Sequence, residues 1–209
     1  MYRKEGAMYK NPHPGKFIVF EGLDRTTQAG MFYDHLRRSN RPVILTKEPT
    51  GAGPIGEKIR RVLEGQRRMS PAELQSFFFQ DRQNHLEDLI VPALEDGQTV
   101  ISDRYFLSSC AFGGIELDIK WILALNDGII LPDITFLLDV PPEVCLERID
   151  KRGTPREFFE TTEKLSKVRE NYLRLAHDDT TGQRVSVING EGLVGEVAEE
   201  VLNIFSNTN

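Results

Sequence analysis

Short runs rich in Val, Ile and Phe recur along this chain, and longer stretches with apolar residues at helical spacing fill the intervals between them. The runs are KFIVFEG (16–22), PVILTKE (42–48), TVISDRY (99–105), DITFLLDV (133–140) and RVSVIN (184–189). Each is strand-sized, and most lack the polar alternation of a sheet with one wet face. Between them, residues 27–38 place Ala29, Phe32 and Leu36 on one helical face, and 54–64 do the same with Ile55, Ile59 and Val62. Helices predicted between buried strands demand parallel pairing and right-handed crossovers. The expected fold class is therefore α/β, a three-layer α/β/α arrangement around a five-stranded parallel sheet. Ligands in such sheets bind beyond the carboxyl ends of the strands. That rim carries Glu21–Arg25, Lys47–Thr50, Asp103–Tyr105 and Asp139–Pro142.

The remaining helices have readable punctuation. The stretch 70–97 opens with Ser70, Pro71 and Glu73, a capping-box pattern, and stops at Gly97. Pro92 within it should kink or divide the helix. Further helices are predicted over 117–126, from Pro141 to Arg152, over 161–177 and over 193–206. A chain of 209 residues suits one domain. We expect a flexible leader over 1–15 and a single domain over 16–209.

Composition removes several classes of function. A net charge of −6 argues against a protein held on a nucleic-acid polymer by its overall field. Cys110 and Cys145 form no Cys-x-x-Cys pair, so zinc is not expected and free thiols are. No apolar run approaches the roughly 18 residues that cross a membrane, and the first 15 residues lack a signal-peptide core. The expected location is the cytoplasm.

The turn EGLDRTTQAG (21–30) is the first place where chemistry is legible. Strand, glycine and a Thr-rich helix start form the setting of the G-x-x-x-x-G-K-[ST] loop, whose backbone N–H groups wrap a phosphate. Yet only Leu23, Asp24 and Arg25 separate Gly22 from the Thr26–Thr27 pair, and the Gly-Lys centre is absent. By itself the stretch reads as a strand-to-helix turn capped by Thr26.

The chain over 17–205 nevertheless resembles the thymidylate kinase family of P-loop nucleoside-monophosphate kinases. The resemblance rests on FIVFEGLD, TTQ, TKEPTG, PIGEKIR, MSPAELQSFFFQDRQNHLEDLIVPALEDG, VISDRYFLSSCAF, LDIKWILALN, LPDITFLLDVPPEVCLERI, KRG and LSKVRENYLRLA, in the family's order and spacing. It implies a P-loop kinase fold, phosphoryl transfer from ATP to dTMP with Mg²⁺, and a homodimer, whose interface we expect on the helices at 54–64 and 70–96. It also implies that three residues, usually ending in Gly-Lys, are missing between Arg25 and Thr26. The expected explanation is omission of those residues from the chain, with a long Arg25–Thr26 separation as its signature. A related deoxynucleotide kinase, or a non-catalytic thymidine-nucleotide binder with a truncated loop, are the alternatives.

Site residues follow from the resemblance, beside a plainer reading of each. Phe78 and Arg82, four apart on a helix, suit stacking on a base and donation to its carbonyl; alone they read as core and an ion pair. Arg104 would hold the dTMP phosphate, or pair with Asp103. Ser109 would reach the base edge and Phe112 the sugar. Asp24 would lie near the sugar hydroxyl, and Glu48 and Pro49 near the phosphate end. Gly22, Leu23, Asp24, Arg25, Thr26 and Thr27 would form what remains of the ATP phosphate loop. Thr26 would ligate Mg²⁺ and Asp103 would anchor it. Arg25, Arg104 and Arg156 are the expected catalytic cations, with Arg152 and Arg156 in a lid around 151–160; the bland alternative is a solvated basic helix end.

Overall fold

The computed structural model describes residues 7–153, 159, 161–178 and 182–207. Five parallel strands form the main sheet: β2 (Phe17–Gly22), β3 (Val43–Lys47), β4 (Thr99–Asp103), β6 (Ile134–Asp139) and β7 (Val185–Asn189), in the order β3-β4-β2-β6-β7. Central β2 is flanked on both sides, with Phe20 opposite Asp103 of β4 and Phe136 of β6. These are the five strands expected, trimmed by a residue or two at their ends.

The unbroken apolar character of β2 has a direct cause. Successive side chains point to opposite faces. Phe17 and Val19 enter a core with Tyr105, Phe106, Ile149 and Tyr172, while Ile18 and Phe20 enter a second core with Phe32, Phe136, Val201 and Phe205. Both faces are covered, so both positions of the alternation must be apolar. Helix α1 (Thr26–Arg38) buries Ala29, Phe32 and Leu36, the expected face. Phe32 meets Phe205 of α9 (Val194–Ser206) edge-on at 5.1 Å. Each buried Phe contributes about 1.5–3 kcal/mol by transfer alone.

Helix α2 (Gly53–Leu63) buries Ile59 fully. Helix α3 (Pro71–His85) begins with the capping box read from sequence: Glu73 N donates to Ser70 Oγ and Ser70 N donates to Glu73 Oε2. Pro92 divides the long helix as expected, but through a wider turn rather than a break. Residues Leu86–Ile90 form a π turn, Val91 N returning to Leu86 O, before α4 (Val91–Glu95). Proline lacks the N–H that would return to Asp88 and its ring crowds that carbonyl; a widened turn relieves both problems.

Helix α5 (Phe106–Gly113) follows β4, α6 (Ile119–Leu125) is capped by Asp118 accepting from Lys120 N, and α7 (Pro142–Arg152) and α8 (Thr162–Ala176) complete the layers.

One correction concerns the leader. Residues 9–15 are not a free extension. Strand β1 (Tyr9–Lys10) pairs in parallel with β5 (Ile130–Leu131) in a small separate sheet. Asn11 Nδ2 donates to Asp133 at 2.8 Å, and Gly15 N to Leu94 O at 2.9 Å. Strands of two residues carry no periodicity, so nothing in the sequence announces them.

Candidate active site

The carboxyl ends of β2, β3 and β4 lie side by side, and each delivers polar groups to one rim. Beyond β3, Glu48 and Thr50 are fixed by α3. Thr50 N and Oγ1 donate to Asp81 at 2.7 and 2.6 Å, while His85 lies 3.2 Å from Glu48 Oε1 and 2.7 Å from Thr46 Oγ1. Positions 81, 82 and 85 of α3 face this loop together, as a helical face requires. The Glu48–Pro49 bond is cis.

Arg82 is 2% exposed. Its Nε donates to Glu48 at 2.8 Å, Nη1 to Asn126 Oδ1 at 2.5 Å and Nη2 to Ser109 Oγ at 3.1 Å, and it lies over the Tyr105 ring. Both readings of Arg82 are therefore partly realised: it is ion-paired, and it borders a pocket. Glu48, Pro49, Phe78, Arg82, Arg104, Ser109 and Phe112 all line that one pocket, of about 90 Å³. A larger cleft of about 500 Å³ shares Leu63, Gln75, Phe112 and Phe159 with it. Phe78 in α3 and Arg104 just beyond β4 thus meet at a single cavity.

Arg104 leaves β4 with a left-handed backbone, φ 76°. That conformation is unusual for a side-chain-bearing residue and costs about 1–3 kcal/mol. It turns the guanidinium out of the sheet: Nη1 donates to Ser108 Oγ and to Tyr172 of α8, and the ring of Phe112 lies 4.8 Å away. Arg104 does not take Asp103 as a direct partner; Arg25 does.

Glu21, which the sequence placed on the rim without a role, organises this corner. It is wholly buried at the end of β2. Oε1 accepts from Tyr105 N and Ser108 N, and Oε2 from Ser108 Oγ and Tyr172 Oη. Burial raises its carboxyl above the ordinary 4.5, against the opposing pull of Ser108, Arg104 and Tyr172. Burial likewise pushes the Tyr172 hydroxyl up. Glu21 was the one acid in the strand run KFIVFEG, and that was its only signal.

The short β2–α1 turn leads straight into the helix. Arg25 is joined directly to Thr26 and precedes the first turn of α1: its carbonyl accepts from Gln28 N at 3.0 Å and Ala29 N at 3.2 Å. Thr26 is not the cap; it is the first helical residue. Gly22 has φ 124°, and a Cβ there would lie 2.4 Å from Leu138 O, so the strand can end this close to β6 only as glycine. Leu23 is buried, and Asp24 pairs with Arg148 at 3.1 Å. Arg25 Nε and Thr26 Oγ1 both donate to Asp103, at 2.6 and 2.7 Å. Burial works against the Asp103 charge, but Arg25, Arg104 and the Thr26 hydroxyl together hold its carboxyl below the ordinary 3.8. Burial and the neighbouring Arg104 make Arg25 less basic than usual. At 2.6 Å the pair is ionised, and two guanidinium groups crowd one carboxylate.

On the far side of α1's start, Asp24, Thr27, Gln28, Arg148, Lys151, Gly190 and Gly192 border another cavity of about 320 Å³. Arg148 also donates to Gly190 O. Arg156 and the side chain of Arg152 lie outside the described residues. Phe159, within the expected lid, packs on Phe112 at 5.2 Å and walls the Phe78 pocket.

With this geometry in hand, comparison with known proteins is specific. A family model described as thymidylate kinase matches residues 20–201. The chain is 42% identical over 173 residues to the probable thymidylate kinase of Thermococcus kodakarensis, covering 77% of this chain and 83% of that protein. It is 36% identical over 203 residues to the probable thymidylate kinase of Thermococcus gammatolerans, covering 91% and 95%. It is 38% identical over 161 residues to the thymidylate kinase of Desulfotalea psychrophila, covering 75% and 79%.

Proposed function

The chain belongs to the thymidylate kinase family, and from that premise we propose that it transfers the γ-phosphoryl group of ATP to dTMP, giving dTDP and ADP. The observation that carries the reading is the meeting of Phe78, Arg82, Ser109 and Arg104 at one pocket, next to the Arg25–Thr26–Asp103 cluster. The thymine ring stacks on Phe78, Arg82 donates to a base carbonyl with N–H groups its protein partners leave over, and Phe112 packs on the sugar. The dTMP phosphate lies against Arg104. Glu48 and Pro49 shape the wall; Asp24, expected at the sugar, lines the separate cavity beside Arg148 instead.

Phosphoryl transfer asks mainly for positioning and cations. Arg25 and Arg104 supply two, close enough to repel each other in the absence of an anion. An entering phosphate relieves that repulsion. Gly22–Thr27 are too few to wrap ATP's phosphates as a full loop does. Side-chain cations therefore carry more of the load: Arg25, then Arg148 and Lys151 around the cavity beyond Asp24. Arg152 and Arg156 remain our candidates for cations brought in by a lid.

The residues fit Mg²⁺ in the way such sites hold it, through few protein oxygens and the substrate's phosphates. Thr26 Oγ1 and Asp103 Oδ2 are 2.7 Å apart at the helix start. Thr26 would ligate the ion and Asp103 anchor its waters once Arg25 turns toward phosphate. The ion supplies neutralisation of charge on the transferred group. We read 16–209 as one kinase domain, with a lid around 151–160, working in the cytoplasm as a homodimer. No described helix is long and apolar enough to cross a membrane. Among the described residues, the large apolar side chains left exposed are Met31, Leu45, Trp121, Val187, Leu193 and Val194, none of them on α2 or α3. The face expected from sequence for the dimer therefore carries no large exposed apolar side chain.

The test is ADP release measured by a coupled assay with dTMP, dUMP, dGMP and dCMP. We expect turnover with dTMP above all others. Tight dTMP binding with no ADP release would overturn catalysis, and no dTMP binding would overturn the site.

A further inference from the structure

Helix α3 presents three side chains to the base pocket at intervals of three and four: Gln75, Phe78 and Arg82. The last two have roles in the reading above. Gln75 is 4% exposed, and its Oε1 is buried with no hydrogen-bond partner among the described residues. A buried amide oxygen without a donor is costly. It is rare enough in native proteins to require an explanation. The amide rests against α5 at Gly113. A Cβ at 113 would lie 2.6 Å from Gln75 Nε2 and 2.9 Å from its Cδ. Any residue larger than glycine at 113 would evict the amide from this position. Gln75 also borders both the small pocket and the larger cleft. The residue that carries this orphaned acceptor thus forms part of the wall of a base pocket.

The geometry points to Gln75 as a specificity-determining residue that pairs with the lactam edge of a keto pyrimidine. This rests on the dTMP-site reading and deepens it. A primary amide presents an acceptor and a donor side by side. Thymine and uracil present the complement, N3–H beside a carbonyl. With Arg82 donating to one base carbonyl, Gln75 Oε1 accepts N3–H, and the orphaned oxygen gains its partner only when the base is in place. Cytosine has no N3–H, and its N3 is an acceptor that opposes Oε1. Selection of thymine over cytosine then comes from an unpaired acceptor in the wrong complex, which discriminates far more strongly than a shape difference.

The test uses the whole enzyme with dTMP, dCMP and N3-methyl-dTMP, and the variants Gln75→Leu and Gln75→Met. For the wild type we expect N3-methyl-dTMP and dCMP to have KM values at least tenfold above that of dTMP. In either variant the dTMP KM rises about tenfold with kcat within about twofold, and the preference for dTMP over the other two shrinks toward one. The ligand-free melting temperature stays level or rises, because the orphaned acceptor is gone. A purely structural role would lower it instead. An unchanged dTMP KM in the variants, or a loss of kcat at constant KM, overturns the inference. So does a wild type indifferent to N3 methylation, a result that needs no variant to fold. If the wild type does not bind dTMP at all, the site reading itself has failed, and that outcome is distinct from the others.

Discussion

Replacing Glu21 with Gln is the most informative single change in this corner of the molecule. The side chain keeps its shape, and Oε1 still accepts from Tyr105 N and Ser108 N. What disappears is the charge and the second acceptor. Two effects then oppose each other. The two contacts at Oε1 become neutral, each losing up to about 1 kcal/mol, and the amide NH2 replaces the oxygen that accepted from Ser108 Oγ and Tyr172 Oη, so those hydroxyls must turn. Against this, a wholly buried carboxylate no longer has to be stripped of water. The raised Glu21 carboxyl says that desolvation is the larger effect. The sign follows from proton counting. A raised folded-state value means that the native protein binds the proton more tightly than the unfolded chain. The wild type is therefore most favoured below about pH 4.5 and loses stability as pH climbs through the folded value. Each unit of the shift is worth about 1.36 kcal/mol, or about 3–5 °C in a chain of this size. Glu21→Gln has no such proton to lose. Its melting temperature should gain on the wild type as pH rises from 4.5 through the folded-state value. Differential scanning calorimetry across that range measures it directly. A difference that is flat, or that favours the wild type as pH rises, refutes the reasoning. Activity gives a second readout. Ser108 and Tyr172, which aim Arg104, are anchored on this carboxylate, so the variant's KM for dTMP should rise about threefold to tenfold.

Other substitutions separate the remaining roles. Arg104→Ala should lower kcat/KM for dTMP about 100-fold or more in the coupled assay, about 2.7 kcal/mol of transition-state stabilisation; a loss below tenfold would remove Arg104 from the reacting phosphate. Phe78→Ala should weaken dTMP binding by about 1–3 kcal/mol in titration calorimetry, the worth of one stacked base, and unchanged affinity would move the ring elsewhere. Asp103→Asn should lower stability at neutral pH. The Asp103 carboxyl is held below 3.8, so its contribution is present above that value and is lost as pH falls through the depressed one. Wild type and variant should converge in acid, and a constant difference down to about pH 2 would contradict the ion pair. Gly22→Ala forces a Cβ to 2.4 Å from Leu138 O at φ 124°; denaturant unfolding should show a loss of about 2 kcal/mol or more, and a neutral result would mean that β2 ends differently.

Much of this protein could be read from residue order alone. The five strands were visible because β2, β4 and β6 are covered on both faces, which forces long apolar runs that solvent would not tolerate. The capping box at Ser70 and Glu73 and the division of the helix near Pro92 are local chemistry, and both were formed as read. Phe78 and Arg82 share a helical face by spacing, so their partnership was legible before their pocket was. What distance in sequence concealed were the partners. Glu21 looks like an ordinary strand end, yet four donors from β4's exit, α5 and α8 converge on it. Arg104 and Asp103 are neighbours in sequence and invited pairing; the left-handed turn at Arg104 parts them and gives Asp103 to Arg25. Thr26 read as the cap of α1, and only the hydrogen bonds from Gln28 and Ala29 to Arg25 put the cap one residue earlier. Strand β1 was invisible because two paired residues leave no pattern. Sequence by itself thus determined the layers and the residue types at the rim, since these follow from burial and local propensity. Tertiary structure decided which charge meets which, and which buried acceptor is left without a donor, because those energies depend on distances between atoms that the chain order does not contain.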